Sequence, residues 1–220
     1  MAHTNTTTAI KTLLASALIV SGIGALTPGG AGAAIETPTQ TSTTTTAPAR
    51  QESTTETTSQ GLETTVVIAE TAEQLASVHW ALGRFETAGL ELPTLAIYTH
   101  SDRADCKGLN GYLANRLDGG WDLHNCGIEF TLLHELAHAW DNNSLTEDTR
   151  DEFLREAAQA TTWNNAENWF LAGGEHAANV IAWGLGNERI NQTRTRPYDH
   201  DSMLEGFEIL TGGQPLWLEG

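Results

Sequence analysis

One short stretch of the chain combines the side chains that zinc chemistry needs. Residues 131–141 have the sequence TLLHELAHAWD, in which His134 and His138 lie four positions apart and Glu135 follows the first histidine. Positions four apart on an α-helix differ by about 40° around its axis, so both imidazoles project from one face and can bind one metal ion. Glu135 can then take a proton from a water molecule on that metal. This spacing predicts a hydrolytic zinc centre on a helix.

A catalytic zinc site also needs a third protein ligand, and Glu175 is the candidate for it. It opens a predicted helix 37 residues beyond His138, after two glycines. Asn179 lies four positions further on the same helix face, where its side-chain oxygen can accept the free N–H of a ligand histidine. Asp141, three residues after His138, competes for that orienting role. Should Glu175 lie too far away, the alternative ligands are Glu152, Glu156 and Glu167.

These segments resemble the gluzincin branch of the zinc metallopeptidases, whose pattern is HExxH followed by Glu-x-x-x-Asp. Residues 132–141 and 177–185 are also similar to LLHELAHAWD and AADVIAWGL segments of small secreted actinobacterial proteins. The resemblance implies a small zincin-like domain that hydrolyses peptide or protein substrates. It also implies that zinc is bound by His134, His138 and Glu175.

The resemblance further implies that Glu135 is the general base. Asn179 departs from the family pattern, which has Asp at this position, so the orienting group is neutral here. Ser144 stands where the longer metzincin pattern has a third histidine, which disfavours that branch.

Two functions from different classes are compatible with this pattern. The first is a secreted zinc-dependent peptidase, expected to be an endopeptidase, in which an extended segment such as residues 121–126 aligns the substrate by strand pairing. The second is a secreted interaction module that zinc stabilises and that has no turnover. Glu135 favours the first, because a purely structural zinc site needs no base.

Four residues are candidates for a donor to the oxyanion of a tetrahedral intermediate, and the sequence does not choose among them. They are Tyr112, His124, Tyr198 and His200. His176 adjoins Glu175 but points about 100° away on a helix, which predicts an orienting or exposed position rather than a ligand.

Length and charge limit the classes of partner. The chain has 220 residues, 28 of them acidic and 11 basic, and a formal net charge of −17. It suits one globular domain with appendages, and its acidity disfavours nucleic acids and anionic lipid surfaces as partners.

The first third of the chain has the composition of an export signal and a linker. Residues 1–33 have a polar start with Lys11, an apolar run of about 14 residues and small residues at the end, as in a cleaved signal peptide. Residues 34–61 are rich in Thr and predict a disordered linker, and residues 62–220 form the predicted domain. We therefore expect a secreted or cell-surface protein without stable membrane insertion after signal removal; retention of the signal as an anchor is the alternative.

Export also bears on the two cysteines. In an oxidising compartment Cys106 and Cys126 are expected to form a disulfide.

Periodicity predicts an α+β fold in which a short mixed sheet and an active-site helix are followed by further helices. The predicted strands lie near residues 65–69, 95–98, 111–114 and 121–126, and the predicted helices near 71–89, 129–142, 146–160 and 174–185.

Overall fold

The computed structural model describes residues 51–56, 65–117, 119–158, 162–165, 167–186 and 199–218. The predicted signal segment at 1–33 lies outside these residues, as does most of the predicted linker. Within the described residues the fold is α+β, as the periodicity predicts, and combines a small mixed sheet with helices. None of the described helices has the length and apolar character needed to cross a bilayer.

Five strands form the sheet in the described part of the chain. They are β1 (Gln51–Glu56), β2 (Thr65–Ala69), β3 (Leu95–Thr99), β4 (Gly111–Asn115) and β5 (Trp121–Asn125). Their spatial order is β1-β2-β3-β5-β4. The three central strands β2, β3 and β5 are parallel, whereas β1 and β4 pair antiparallel at the two edges.

Strand β1 lies in the stretch that composition predicts to be disordered, so that prediction is wrong for residues 51–56. Gln51 pairs with Ala69 and Glu56 with Thr65, with an irregularity between them. Composition predicts disorder for residues 34–61 because this segment has too few apolar side chains to form a core. An edge strand is held by backbone hydrogen bonds to its neighbour, and Thr favours extended backbone, so the pairing needs no apolar run.

Five α-helices lie in the described residues. They are α1 (Ala72–Thr87), α2 (Glu129–Ser144), α3 (Glu147–Phe153), α4 (Gly173–Gly186) and α5 (His200–Thr211). The first four fall where periodicity predicts them, and α3 continues into a π-helical turn at Leu154–Ala158. Helix α5 is absent from the sequence prediction although its caps are ordinary: Asp199 accepts a hydrogen bond from the Ser202 N–H, and Gly212 ends the helix at φ 71°.

The core lies between one face of the sheet and helices α1 and α2, and it continues to α4, which packs against α2. Leu95, Ile97 and Leu123 contribute fully buried side chains from the sheet, and Leu132 and Leu136 contribute them from α2. Side chains alternate along a strand, so the residues between these strand positions point to the opposite face. Helix α2, which carries the HExxH motif, is thereby held rigidly against the sheet.

The predicted disulfide between Cys106 and Cys126 is confirmed, with the two Cα atoms 6.1 Å apart. It joins the loop between β3 and β4 to the residue that follows β5. Closing a loop of 20 residues stabilises the fold by about 3 kcal/mol in the chain-entropy model. The bond therefore anchors the segment that leads directly into α2.

Candidate metal centre

Helix α2 positions His134, Glu135 and His138 because its apolar residues are buried around them. Leu132, Leu133 and Leu136 are all at most 1% exposed, which fixes the rotation of the helix against the sheet. Both His134 and Glu135 are 8% exposed. The motif therefore lies on a packed helix whose histidine face is turned towards α4.

Helix α4 brings Glu175 to the same place through two glycines. The backbone N–H groups of Gly173 and Gly174 donate to the carbonyls of Thr162 and Trp163, at 2.9 and 3.0 Å. A Cβ on Gly173 would overlap a methyl group of Leu154, so a larger residue there would force the Leu154 side chain to shift. This close approach fixes the first turn of α4 and, with it, the carboxylate of Glu175.

The three predicted ligands come together in the structure. The Nε2 atoms of His134 and His138 are 3.1 Å apart. The carboxylate of Glu175 reaches both rings, with Oε2 at 3.2 Å from His134 Nε2 and Oε1 at 3.3 Å from His138 Nε2. Ligand atoms bound tetrahedrally to zinc at 2.0–2.1 Å are separated by roughly 3.3 Å. The donor set and its spacing therefore fit zinc, and none of Glu152, Glu156 or Glu167 belongs to this group of donors.

Asn179 orients one of the two imidazoles. Its Oδ1 lies 2.9 Å from Nδ1 of His134, and the side chain is buried. Since an amide oxygen only accepts, Nδ1 of His134 carries a proton, and Nε2 is the ring nitrogen that faces Glu175. This is the tautomer in which His134 can bind a metal through Nε2.

Asp141 has a different environment from the one predicted for it. Its carboxylate accepts hydrogen bonds from Arg150 Nε at 2.9 Å and from Trp163 Nε1 at 3.0 Å. The backbone carbonyl of Asp141 accepts a further bond from Arg150. Asp141 thus ties α2 to α3 and to the loop before α4, and it acts on His138 through charge. Sequence spacing alone could not identify Arg150 and Trp163, because these contacts join separate elements.

Charge coupling at the centre shifts the pKa values of two ligands in opposite directions. Burial lowers the pKa of His138, but the charge of Glu175 and the hydrogen bond to it outweigh burial and raise this pKa to about 9. Burial raises the pKa of Glu175, but His138 and His134 outweigh it and lower this pKa to about 2. Without a metal, the two side chains are therefore an ion pair at neutral pH.

Glu135 is buried beside the edge strand β4. A Cβ on Gly111 would lie 2.9 Å from Cγ and 3.0 Å from Oε1 of Glu135, so a side chain there would force Glu135 to shift. Burial raises the pKa of Glu135, although the charges of His134 and His138 oppose the shift. The result is a carboxylate with increased proton affinity next to the candidate metal ligands.

The edge position of β4 corrects the expectation that residues 121–126 align a substrate. Strand β5, Trp121–Asn125, is paired on both sides, with β3 and with β4. Its backbone groups are therefore already used. Strand β4 is the edge strand on this side of the described sheet, and Gly111 at its start contacts Glu135.

The structure describes three of the four candidates for an oxyanion donor, namely Tyr112, His124 and His200. Because the Cβ direction of Gly111 faces Glu135, Tyr112 projects to the opposite face of the sheet, where its ring stacks on His124 at 4.5 Å. His200 contacts the rings of Trp183 and Trp217 instead. Tyr198 lies outside the described residues. His176 is buried and is not among the three clustered donors, as expected for its position on α4.

A polar cavity of about 160 Å³ adjoins the centre. It is lined by two of the three ligands, His138 and Glu175, and by the Asp141, Arg150 and Trp163 side chains. At about 30 Å³ per water molecule, this volume can hold several waters. Water therefore has access to the ligand atoms from this side.

Comparisons of the chain with protein-family models, with curated proteins and with solved structures give no match. The assignment of this centre accordingly rests on its own geometry: two imidazole nitrogens and one carboxylate, at separations that suit a tetrahedral metal ion. Glu135 is buried beside these donors.

Proposed function

We propose that the protein is a secreted zinc-dependent peptidase of the gluzincin kind, acting on peptide or protein substrates. The observation that carries this proposal is the convergence of His134, His138 and Glu175 at 3.1–3.3 Å beside the carboxylate of Glu135. A purely structural zinc site has no use for a buried carboxylate next to its ligands. The disulfide is compatible with an oxidising, extracellular compartment.

His134, His138 and Glu175 hold the metal, and Asn179 keeps His134 in the tautomer that ligation requires. A zinc ion bound there supplies a Lewis acid, which polarises the scissile carbonyl and makes a nearby water more acidic. The polar cavity beside His138 and Glu175 would let water reach a metal held there.

Glu135 moves the proton in both halves of the reaction. As a water oxygen attacks the scissile carbonyl carbon, Glu135 accepts one proton from that water. As the C–N bond breaks, Glu135 gives this proton to the leaving amine nitrogen, and the products are one carboxylic acid and one amine. The raised pKa of Glu135 favours the first transfer, because a more basic carboxylate is a better acceptor.

An extended substrate can add to the outer edge of β4. One side of β4 pairs with β5, and Gly111 lies at the end of β4 that contacts Glu135. Strand addition satisfies backbone groups of both partners and leaves the substrate side chains to determine preference. This supports an endopeptidase that binds a stretch of chain on either side of the cut bond.

The test is the substitution Glu135→Gln, compared with Glu129→Gln as a matched control. Glu129 is on the same helix but exposed, where it accepts a hydrogen bond from Ser77. Glu135→Gln keeps the shape of the side chain and removes its basicity, so hydrolysis of a mixed peptide library should fall about 10²- to 10⁴-fold. Zinc content should be unchanged in both variants, and Glu129→Gln should retain activity.

Two further results would decide between the two functions. Removal of metal with a chelator should abolish hydrolysis by the wild-type protein, and added zinc should restore it. If Glu135→Gln hydrolyses peptides as fast as the wild type, or if no peptide is cleaved by the zinc-loaded protein, then the interaction module becomes the better account of the centre.

A further inference from the structure

A second group of metal-binding side chains lies at the carboxyl ends of two neighbouring parallel strands. Glu70 directly follows β2, and His100 directly follows β3. Asp105 comes from the loop between β3 and β4. The three side chains each offer one donor atom, and these atoms all lie within 4.8 Å of one another. The group shares no residue with the HExxH centre.

The imidazole of His100 is held by a stack of rings on the sheet. Its Nε2 lies 3.0 Å from Nδ1 of His124. The ring of His124 is stacked between Tyr98 and Tyr112, with centroids 4.7 and 4.5 Å away. When Nε2 of His100 donates to His124, the lone pair of Nδ1 faces the carboxylates. Such an orienting contact is the usual companion of a ligand histidine.

The carboxylate of Glu70 and the backbone of Asp105 are also held by their surroundings. The Oε2 atom of Glu70 accepts a hydrogen bond from the backbone N–H of Ser101 at 2.9 Å. Asp105 precedes Cys106, which the disulfide fixes to the end of β5. Oδ2 of Asp105 lies 3.9 Å from Nδ1 of His100, and the side chain is 55% exposed, which leaves it room to close on a cation. The anchored loop therefore places Asp105 close to Glu70 and His100.

We propose that Glu70, His100 and Asp105 form a second metal site, which binds a divalent transition cation such as Zn²⁺. One imidazole nitrogen and two carboxylate oxygens favour such cations, whereas Ca²⁺ takes six to eight oxygen ligands. Bound metal clamps the loop between β3 and β4 onto the sheet. Because this loop leads into the edge strand β4, the site stabilises the strand that, under the proposed function, pairs with an extended substrate.

The test is to measure, by equilibrium dialysis of the full protein, how many zinc ions each chain binds when excess Ca²⁺ and Mg²⁺ are present. The wild type should bind two, Asp105→Asn one, His138→Ala one, and the double variant none. Asp102→Asn is the matched control and should bind two. Asp102 is an exposed acid in the same loop, and Asn retains the oxygen that accepts from the Ala104 N–H.

A second variant tests the orienting contact. His124→Phe keeps a ring between the two tyrosines but removes the nitrogen that accepts from His100. It should weaken the second zinc about 10- to 100-fold without changing the first. A wild type that binds one zinc, together with Asp105→Asn that also binds one, would overturn the second site. A wild type that binds one zinc and loses it in Asp105→Asn would instead support the second site and remove the basis of the proposed peptidase.

Discussion

Replacing Asn179, which accepts a hydrogen bond from His134, is the most direct test of how the fold prepares the proposed metal centre. Both groups are buried, and Nδ1 and Oδ1 are 2.9 Å apart. Asn179→Leu keeps a side chain of similar size and removes the acceptor. His134 then loses the contact that fixes its tautomer, and a buried N–H is left without its partner. Both effects weaken the ligand that Nε2 provides.

The expected loss can be estimated from this single contact. Removing an orienting partner of a ligand histidine weakens metal affinity about 10- to 100-fold, which corresponds to about 1.4–2.7 kcal/mol. Asn179→Asp should act in the opposite direction, because a charged acceptor makes a hydrogen bond about twice as strong and the imidazole more basic. Zinc affinity, measured by competition with a chelating dye, should therefore be highest in Asn179→Asp, intermediate in the wild type and lowest in Asn179→Leu.

The control for this series is Asn142→Leu. Asn142 is an exposed asparagine whose Nδ2 donates to the backbone carbonyl of His138 at 2.7 Å, so it touches a ligand residue without orienting the ring. Its replacement should change zinc affinity by less than about twofold. If Asn179→Leu binds zinc as tightly as this control, the argument that Asn179 prepares His134 is refuted.

Three further predictions concern protonation, packing and the disulfide. The pKa of about 9 for metal-free His138 means that zinc binding at pH 7 displaces a proton, so the binding enthalpy should depend on the buffer at pH 7 and lose that dependence above about pH 10. Gly111→Ala should displace Glu135 and lower turnover about 10- to 100-fold at unchanged zinc content, whereas Gly83→Ala, where an added methyl meets open space, should not. Replacing both cysteines by serine should lower the free energy of unfolding by about 3 kcal/mol, measured by denaturant titration; an unchanged midpoint would contradict the role given to the disulfide.

Local spacing in the sequence was enough to predict the helix that carries His134 and His138. Their four-residue separation determines that they share a face, since helix geometry depends only on hydrogen bonds within the element. The buried apolar pattern around them predicts the same helix. Glu175 and Asn179 could be predicted because they too share one helix face, and the cysteine pair because the chain has only two cysteines.

The tertiary structure alone decided how separate elements meet. Strand β5 lies between β3 and β4, which gives the edge position to β4 and not to the segment expected to align a substrate. The pairing of β2 with β3 brings Glu70 and His100 together at the carboxyl ends of these two strands, and a hydrogen bond between α3 and α2 joins Arg150 to Asp141. Strand order and helix packing depend on which apolar faces bury one another across the whole chain, and no local period in the sequence encodes that choice.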